Sequence, residues 1–171
     1  MADTPLLEKT FNEEIDVDKK VREGCIHSRL YVEVQGNDKD KCEAALKRVI
    51  FDALGNEPMV DLLIVKFFEL QKDEERNFYS GVVEVEALFR DFRWFINVVM
   101  RYGPSAIEII EPQDGVSLTL DEMQSIIADI SEQSQALSNQ LLGLLKDEER
   151  RKIYERMLKS DDSQAVKPKK A

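Results

Sequence analysis

The chain has 171 residues, of which 43% are hydrophobic and 34% charged, with a formal net charge of -10; this is enough for one buried core plus an extension and too apolar for a disordered chain. The negative field disfavours direct nucleic-acid binding, because phosphate backbones are held mainly by Lys and Arg. No apolar run approaches the ~20 residues of a membrane span, and the opening MADTPLLEKTFNEE lacks both the basic and the apolar regions of a signal peptide, so a cytoplasmic protein with no membrane partner is expected.

In chain order, residues 1–24 are polar and weakly patterned, and read as a flexible arm with at most a helical turn. From Arg29 the pattern becomes strict. Leu30, Val32 and Val34 alternate with Tyr31, Glu33 and Gln35, the period of a half-buried strand, which Gly36-Asn37 ends. Asp38 or Asp40 caps a helix with apolar positions Cys42, Ala45, Leu46, Val49, Ile50 and Ala53, closed by Gly55. Met59 to Leu70 is rich in β-branched and aromatic residues and reads as a strand; the charged turn QKDEERN leads into an antiparallel strand, FYSGVVEVEAL. A second helix, Asp91 to Tyr102, stops at Gly103-Pro104, and AIEII at Ala106 to Ile110 is the last strand.

The order β-α-β-β-α-β predicts an α+β fold: a ferredoxin-like antiparallel sheet over residues 25–115 with both helices on one face. Right-handed crossovers give the spatial order 4-1-3-2 for these four strands. A C-terminal helical extension follows over residues 116–158, and residues 159–171 read as a disordered tail. Thr119 and Glu122 form a capping box with Leu118 and Met123 at staple positions. Met123, Ile127, Ile130, Leu137, Leu141 and Leu144 then follow coiled-coil spacing, with Ser134 at the one missing position. Asp147 to Leu158 reads as a further amphipathic segment.

The stretch VVEVEALFRDFRWFINVVMRYGPSAIEIIEP has a strand, helix, Tyr-Gly, strand and Glu-Pro layout. It resembles the ferredoxin-like C-terminal extension, WCX, of WYL-domain transcription regulators, and it is similar to uncharacterised archaeal proteins of the same layout. With the first strand and helix the resemblance spans Arg29 to Pro112. The sequence departs from that family in two ways. The preceding residues are too few for a helix-turn-helix or a WYL module, and Gln113, Asp114 and Gly115 stand where the family continues with a Leu-Arg pair. The resemblance therefore implies a fold and a regulatory or assembly role, without DNA binding or sensing.

Two cysteines and one histidine limit the available chemistry. Cys25, His27 and Cys42 could form a thiol-histidine pair or three zinc ligands, but neighbouring extended residues do not aim at each other and no CxxC is present; half-buried side chains are the plainer reading. No phosphate-cradling glycine loop occurs. No catalytic residue, cofactor or metal site is therefore assigned.

Alternation places Tyr31, Glu33, Gln35, Val82, Glu84, Glu86, Glu108 and Ile110 on the sheet face away from the helices. Four glutamates on three adjacent strands call for a cover that supplies cations, and Arg150, Arg151, Lys152 and Arg156 are candidates. A divalent-cation site and a solvated acidic face are the alternatives. On the second helix Phe92, Phe95, Ile96 and Val99 suffice for the core, leaving Trp94 and Val98 as a second apolar stripe.

The candidate interaction residues are thus Tyr31, Glu33, Glu84, Glu86, Glu108, Trp94, Val98, Ile127, Leu137 and Leu141. The expected function is a non-catalytic regulatory or interaction protein that self-associates, with a homodimer or another protein as partner. One alternative is a small-ligand sensor with its site between sheet and appendage; another is an enzyme using the clustered glutamates. A polar concavity floored by Glu33 and Glu84 would favour the alternatives, and a flat or helix-covered sheet the first reading.

Overall fold

The computed structural model describes residues 4–75 and 77–145, with residues 148 and 152. They form two compact units divided after Ile127. The first unit is built on a six-stranded antiparallel sheet. Its strands are β1 (Leu7–Thr10), β2 (Ile26–Gly36), β3 (Val60–Phe67), β4 (Gln71–Asp73), β5 (Phe78–Phe89) and β6 (Ala106–Glu111). The spatial order is β1-β3-β5-β2-β6, with β4 on the edge of β5 beyond β3. Without β1 and β4 this is the expected 4-1-3-2 order, with the two long strands β2 and β5 in the centre.

The helices are α1 (Val17–Arg22), α2 (Lys39–Lys47), α3 (Phe92–Tyr102) and α4 (Leu120–Leu144). Asp38 caps α2 and Asp91 caps α3, their carboxylates accepting from Lys41 N and Trp94 N. Gly103 ends α3 at φ 54°, a left-handed conformation that glycine adopts without Cβ strain. Both α2 and α3 feed one core: Leu46, Phe95 and Val98 pack with Leu30, Val32, Val83, Val85, Ala87 and Phe89 from the same sheet face.

Past Lys47 the helix continues as a π turn over Arg48–Ala53 and a 3-10 turn over Leu54–Asn56. The buried residues Cys42, Leu46, Ile50 and Leu54 recur every fourth position. In a uniform α-helix such a row drifts by about 40° per step. The wider π turn offsets the drift, which is why all four stay in the core.

The segment expected as a flexible arm instead contains β1 and α1. β1 pairs with β3 from Leu7↔Phe67 to Thr10↔Ile64, and Phe11 N donates to Leu63 O at 2.8 Å. β3 is apolar on both faces, so leaving its outer edge open would expose a flat, sticky strand. Phe11 completes the cover by packing beside Phe51, ring centroids 6.0 Å apart.

Val98 is likewise part of the core and not of a second stripe: it is buried, and Trp94 is half-buried. The core face of α3 runs through Phe92, Phe95, Val98, Val99 and Tyr102, which turns Ile96 toward the flank. At the start of α4 the capping box forms as expected. Thr119 N and Oγ1 both donate to Glu122 Oε2 at 2.7 Å, and Glu122 N donates to Thr119 Oγ1 at 3.3 Å. These bonds hold the Glu122 carboxyl below its ordinary range. Of the proposed segment Asp147 to Leu158, Glu148 and Lys152 are helical and exposed; the rest of it, with Arg150, Arg151 and Arg156, and the tail at residues 159–171 lie outside the described residues.

Candidate functional site

Antiparallel register fixes which side chains share the face away from α2 and α3. Arg29 lies opposite Glu86 on β5 and Glu108 on β6, Tyr31 opposite Glu84 and Ala106, and Glu33 opposite Val82. On the far side of β5, Ile64 faces Glu86 and Lys66 faces Glu84. The four glutamates expected together are therefore on one face. The cations of Glu84, Glu86 and Glu108 come from the same face.

Arg29 is the hub. Its Nη2 donates to Glu86 Oε2 at 2.9 Å and its Nη1 to Glu108 Oε2 at 2.7 Å. Its buried Nε lies 3.2 Å from Glu84 Oε1, close enough for ion pairing though not aligned as a hydrogen bond. Lys66 Nζ donates to Glu84 Oε1 at 2.9 Å. His27 Nε2 lies 3.0 Å from Glu86 Oε1 and donates to it when Glu86 is ionised. Glu84 and Glu86 retain 14% and 15% of their side-chain exposure, against 54% for Glu108, so the centre of the network is shielded and its rim is wet.

The protonation states follow from these contacts. Burial opposes ionisation of Glu86, but hydrogen bonds from Arg29 and His27 outweigh it and hold its pKa below the ordinary 4.5. The hydrogen bond to Glu86, reinforced by the charges of Glu84 and Glu108, raises the Arg29 pKa further. The bond to Glu84 likewise raises Lys66. A fixed lattice of charges results, in which each shielded carboxylate has a cation.

Cys25, His27 and Cys42 do not come together as a site. Cys42 is buried in the core on α2, where its Sγ would lie 2.8 Å from a Cβ on Gly36. His27 belongs to the opposite face, with Glu86. Cys25 stands partly exposed just before β2, its thiol pKa raised by burial. Among the described residues no three His, Cys, Asp or Glu side chains are grouped to hold a metal ion.

Beside the charge network the face becomes concave. β5 passes from its pairing with β3, ending at Phe67↔Val83, to its pairing with β4, starting at Gln71↔Ser80. Over that step β5 advances by Val82 and Gly81 while the opposite chain advances by Phe68, Glu69 and Leu70. The extra residue makes a bulge. Leu70 fills the space over Gly81, where a Cβ would meet its Cγ at 2.7 Å. The concavity of about 410 Å³ is lined by Tyr31, Glu33 and Gln35 of β2, Ser80, Gly81, Val82 and Glu84 of β5, and Phe68, Glu69 and Gln71.

α4 carries a separate feature. Its exposed apolar residues are Leu120, Met123, Ile127, Ile130, Leu137, Leu141 and Leu144, on one stripe of alternating three- and four-residue spacing. Ile127, Leu137, Leu141 and Leu144 are 66%, 59%, 56% and 84% exposed. Neighbouring Ile126, outside the stripe, is buried.

These features define an α+β sheet protein of ferredoxin-like strand order, with a charged open face and an apolar helical stripe. Residues 27–158 match the model of the MJ0538 family, and the chain belongs to that family. The Uncharacterized protein MJ0538 of Methanocaldococcus jannaschii is 31% identical over 99 residues, which cover 56% of this chain and 35% of that relative. The chain thus spans about a third of that relative's length. No solved structure matches. Among the described residues no helix is long and apolar enough to cross a membrane.

Proposed function

We propose that the protein is a non-catalytic interaction protein that forms a homodimer through α4. The observation that carries this reading is the exposed seam from Leu120 to Leu144. Its 3-4 spacing makes a narrow stripe suited to one facing helix, whereas docking on a globular surface uses a broader face.

The flanking positions favour a second copy over a different protein. Gln124, Ser131, Gln133, Ser138 and Gln140 lie beside the seam, and none is charged. Heterotypic coiled coils choose partners with charges at such positions, and like copies of a chain with net charge -10 would repel there if they were acidic. Ser134 lowers the strength of the seam. The resemblance to the WCX extension adds a regulatory or assembly setting to this reading.

The two shielded carboxylates support the non-catalytic part. Glu84 and Glu86 are tied to Lys66, Arg29 and His27, whereas a general acid or base needs a free proton-transfer position. The test is sedimentation equilibrium on the whole chain. A dimer is expected for the parent and a monomer for the Ile127→Glu, Leu141→Glu double variant. A parent that stays monomeric at all accessible concentrations, or a double variant that remains dimeric, refutes the seam.

A second reading, small-ligand sensing, is favoured by the concavity beside Glu33 and Glu84. Its volume lies within the ~300–1,000 Å³ range of small-molecule sites.

A further inference from the structure

We propose that the concavity beside the bulge binds a small organic ammonium ion with an apolar body, such as an aliphatic diamine. This rests on the ligand-sensing reading of the same concavity and adds the chemical class of its ligand.

The charged side chains of the lining are Glu33, Glu69 and Glu84, and no Lys, Arg or His is among them. Glu84 is already neutralised by Lys66 and Arg29. Glu69 has a distant, exposed partner in Lys39 at 3.9 Å. Glu33 has no ion-pair partner among the described residues. Its register neighbour is Val82, and the cations of the face stand farther along the strands, at Arg29 and Lys66. The sheet thus pairs its shielded carboxylates internally and leaves unpaired negative charge at the concave end.

The remaining lining selects the kind of cation. Tyr31 and Phe68 contribute aromatic rings, Val82 an aliphatic surface, and Gln35, Gln71 and Ser80 neutral polar groups. An alkylammonium ion can place its charge against a carboxylate or over a ring and its chain on the apolar floor. A bare divalent cation needs several converging oxygens. The described carboxylates do not supply such a group. Anionic ligands such as nucleotides would face Glu33 and Glu69 with no compensating cation in the lining.

Phe68 and Glu69 belong to the three-residue step between β3 and β4, and the floor belongs to the central strands β2 and β5.

The experiment is an NMR titration of the whole chain with hexane-1,6-diamine, and in parallel with hexane-1,6-diol and adipate as neutral and anionic analogues of the same length. The diamine is expected to bind and to shift the amides of Tyr31, Glu33 and Val82, while the diol and adipate leave them unmoved. Glu33→Gln should weaken the diamine about threefold, the scale of one exposed ion pair. Glu33 is exposed, so this variant keeps the fold. Glu13→Gln, which changes net charge equally outside the lining, should bind as the parent does. Equal binding of diol and diamine overturns the ammonium assignment and leaves a small-molecule site standing. Binding of none of the three, or diamine shifts confined to other residues, overturns the site together with its chemistry. Equal weakening by Glu13→Gln would reduce the effect to general charge attraction and also overturns the proposal.

Discussion

Replacing Arg29 by Met keeps the side-chain stem and removes the cation that joins three strands. Two charge-assisted hydrogen bonds are lost, to Glu86 and Glu108, along with the close approach to Glu84. The rim bond to Glu108 contributes little, because that carboxylate is more than half exposed. The central one matters more. Glu86 would keep His27 as its remaining partner while still bearing the burial that opposes its charge. Breaking a fully buried pair costs about 3–5 kcal/mol, and the 27% exposure of Arg29 reduces this; a loss of about 2–3 kcal/mol is expected.

The assay is urea unfolding followed by the fluorescence of Trp94, the chain's single tryptophan, which reports on the unit containing the sheet. With an ordinary slope the midpoint should fall by about 1–2 M. The pH dependence supplies the sign. The folded-state pKa of Glu86 lies below its ordinary 4.5, so its stabilising contribution is fully present above that value and is lost as pH falls through the lower folded value. Without Arg29 the depression is reduced to what His27 supplies, and the gap between parent and variant should therefore narrow in acid. A gap under about 0.5 kcal/mol at neutral pH, the ordinary scatter of surface changes, or one that persists unchanged in acid, would refute the reasoning.

Two further outcomes follow from residues placed by the fold. Val98→Ala should cost about 2 kcal/mol in the same urea assay, because two buried methyl groups are removed from the contact between α3 and the sheet; an unchanged midpoint would put Val98 back on the surface. Thr119→Ala should lower helical circular dichroism and weaken the start of α4 by about 1 kcal/mol, with Thr119→Ser restoring most of it. Equal spectra for all three proteins would mean that the capping box contributes nothing.

The strand order and the division of the sheet into two faces were legible because alternation in Leu30 to Gln35 and Val82 to Glu86 leaves one arrangement that buries the valines. The cations were legible in principle. Arg29 has the same parity as Tyr31 and Glu33, which puts it among the glutamates, whereas Arg150 and its neighbours share no strand register with them. β1 carries no comparable signal. Leu7 to Thr10 is exposed and unpatterned, held by backbone pairing to a strand more than fifty residues away, and edge pairing of that kind has no side-chain period. The assignment of Val98 failed on angle, since Phe92, Phe95, Val98 and Val99 define a face slightly rotated from one drawn through Ile96. The concavity depends on a one-residue mismatch between partners distant in sequence, which neither segment records by itself.

The row Cys42, Leu46, Ile50 and Leu54 bears on how this fold tolerates change in chain length. One residue inserted into or deleted from a uniform α-helix rotates everything beyond it by about 100° and turns the buried face outward. The stretch from Lys39 to Asn56 already holds a wide turn in its middle, so it has a position where length can be exchanged for geometry. Removing one residue from Arg48–Ala53 would let ordinary α-helical winding resume, with the rows before and after the deletion shifted by a partial turn. Relatives with a shorter segment here would then bury a three-and-four pattern where this chain buries every fourth residue, and aligning them position by position across the segment would mistake a change in winding for a change of core residues.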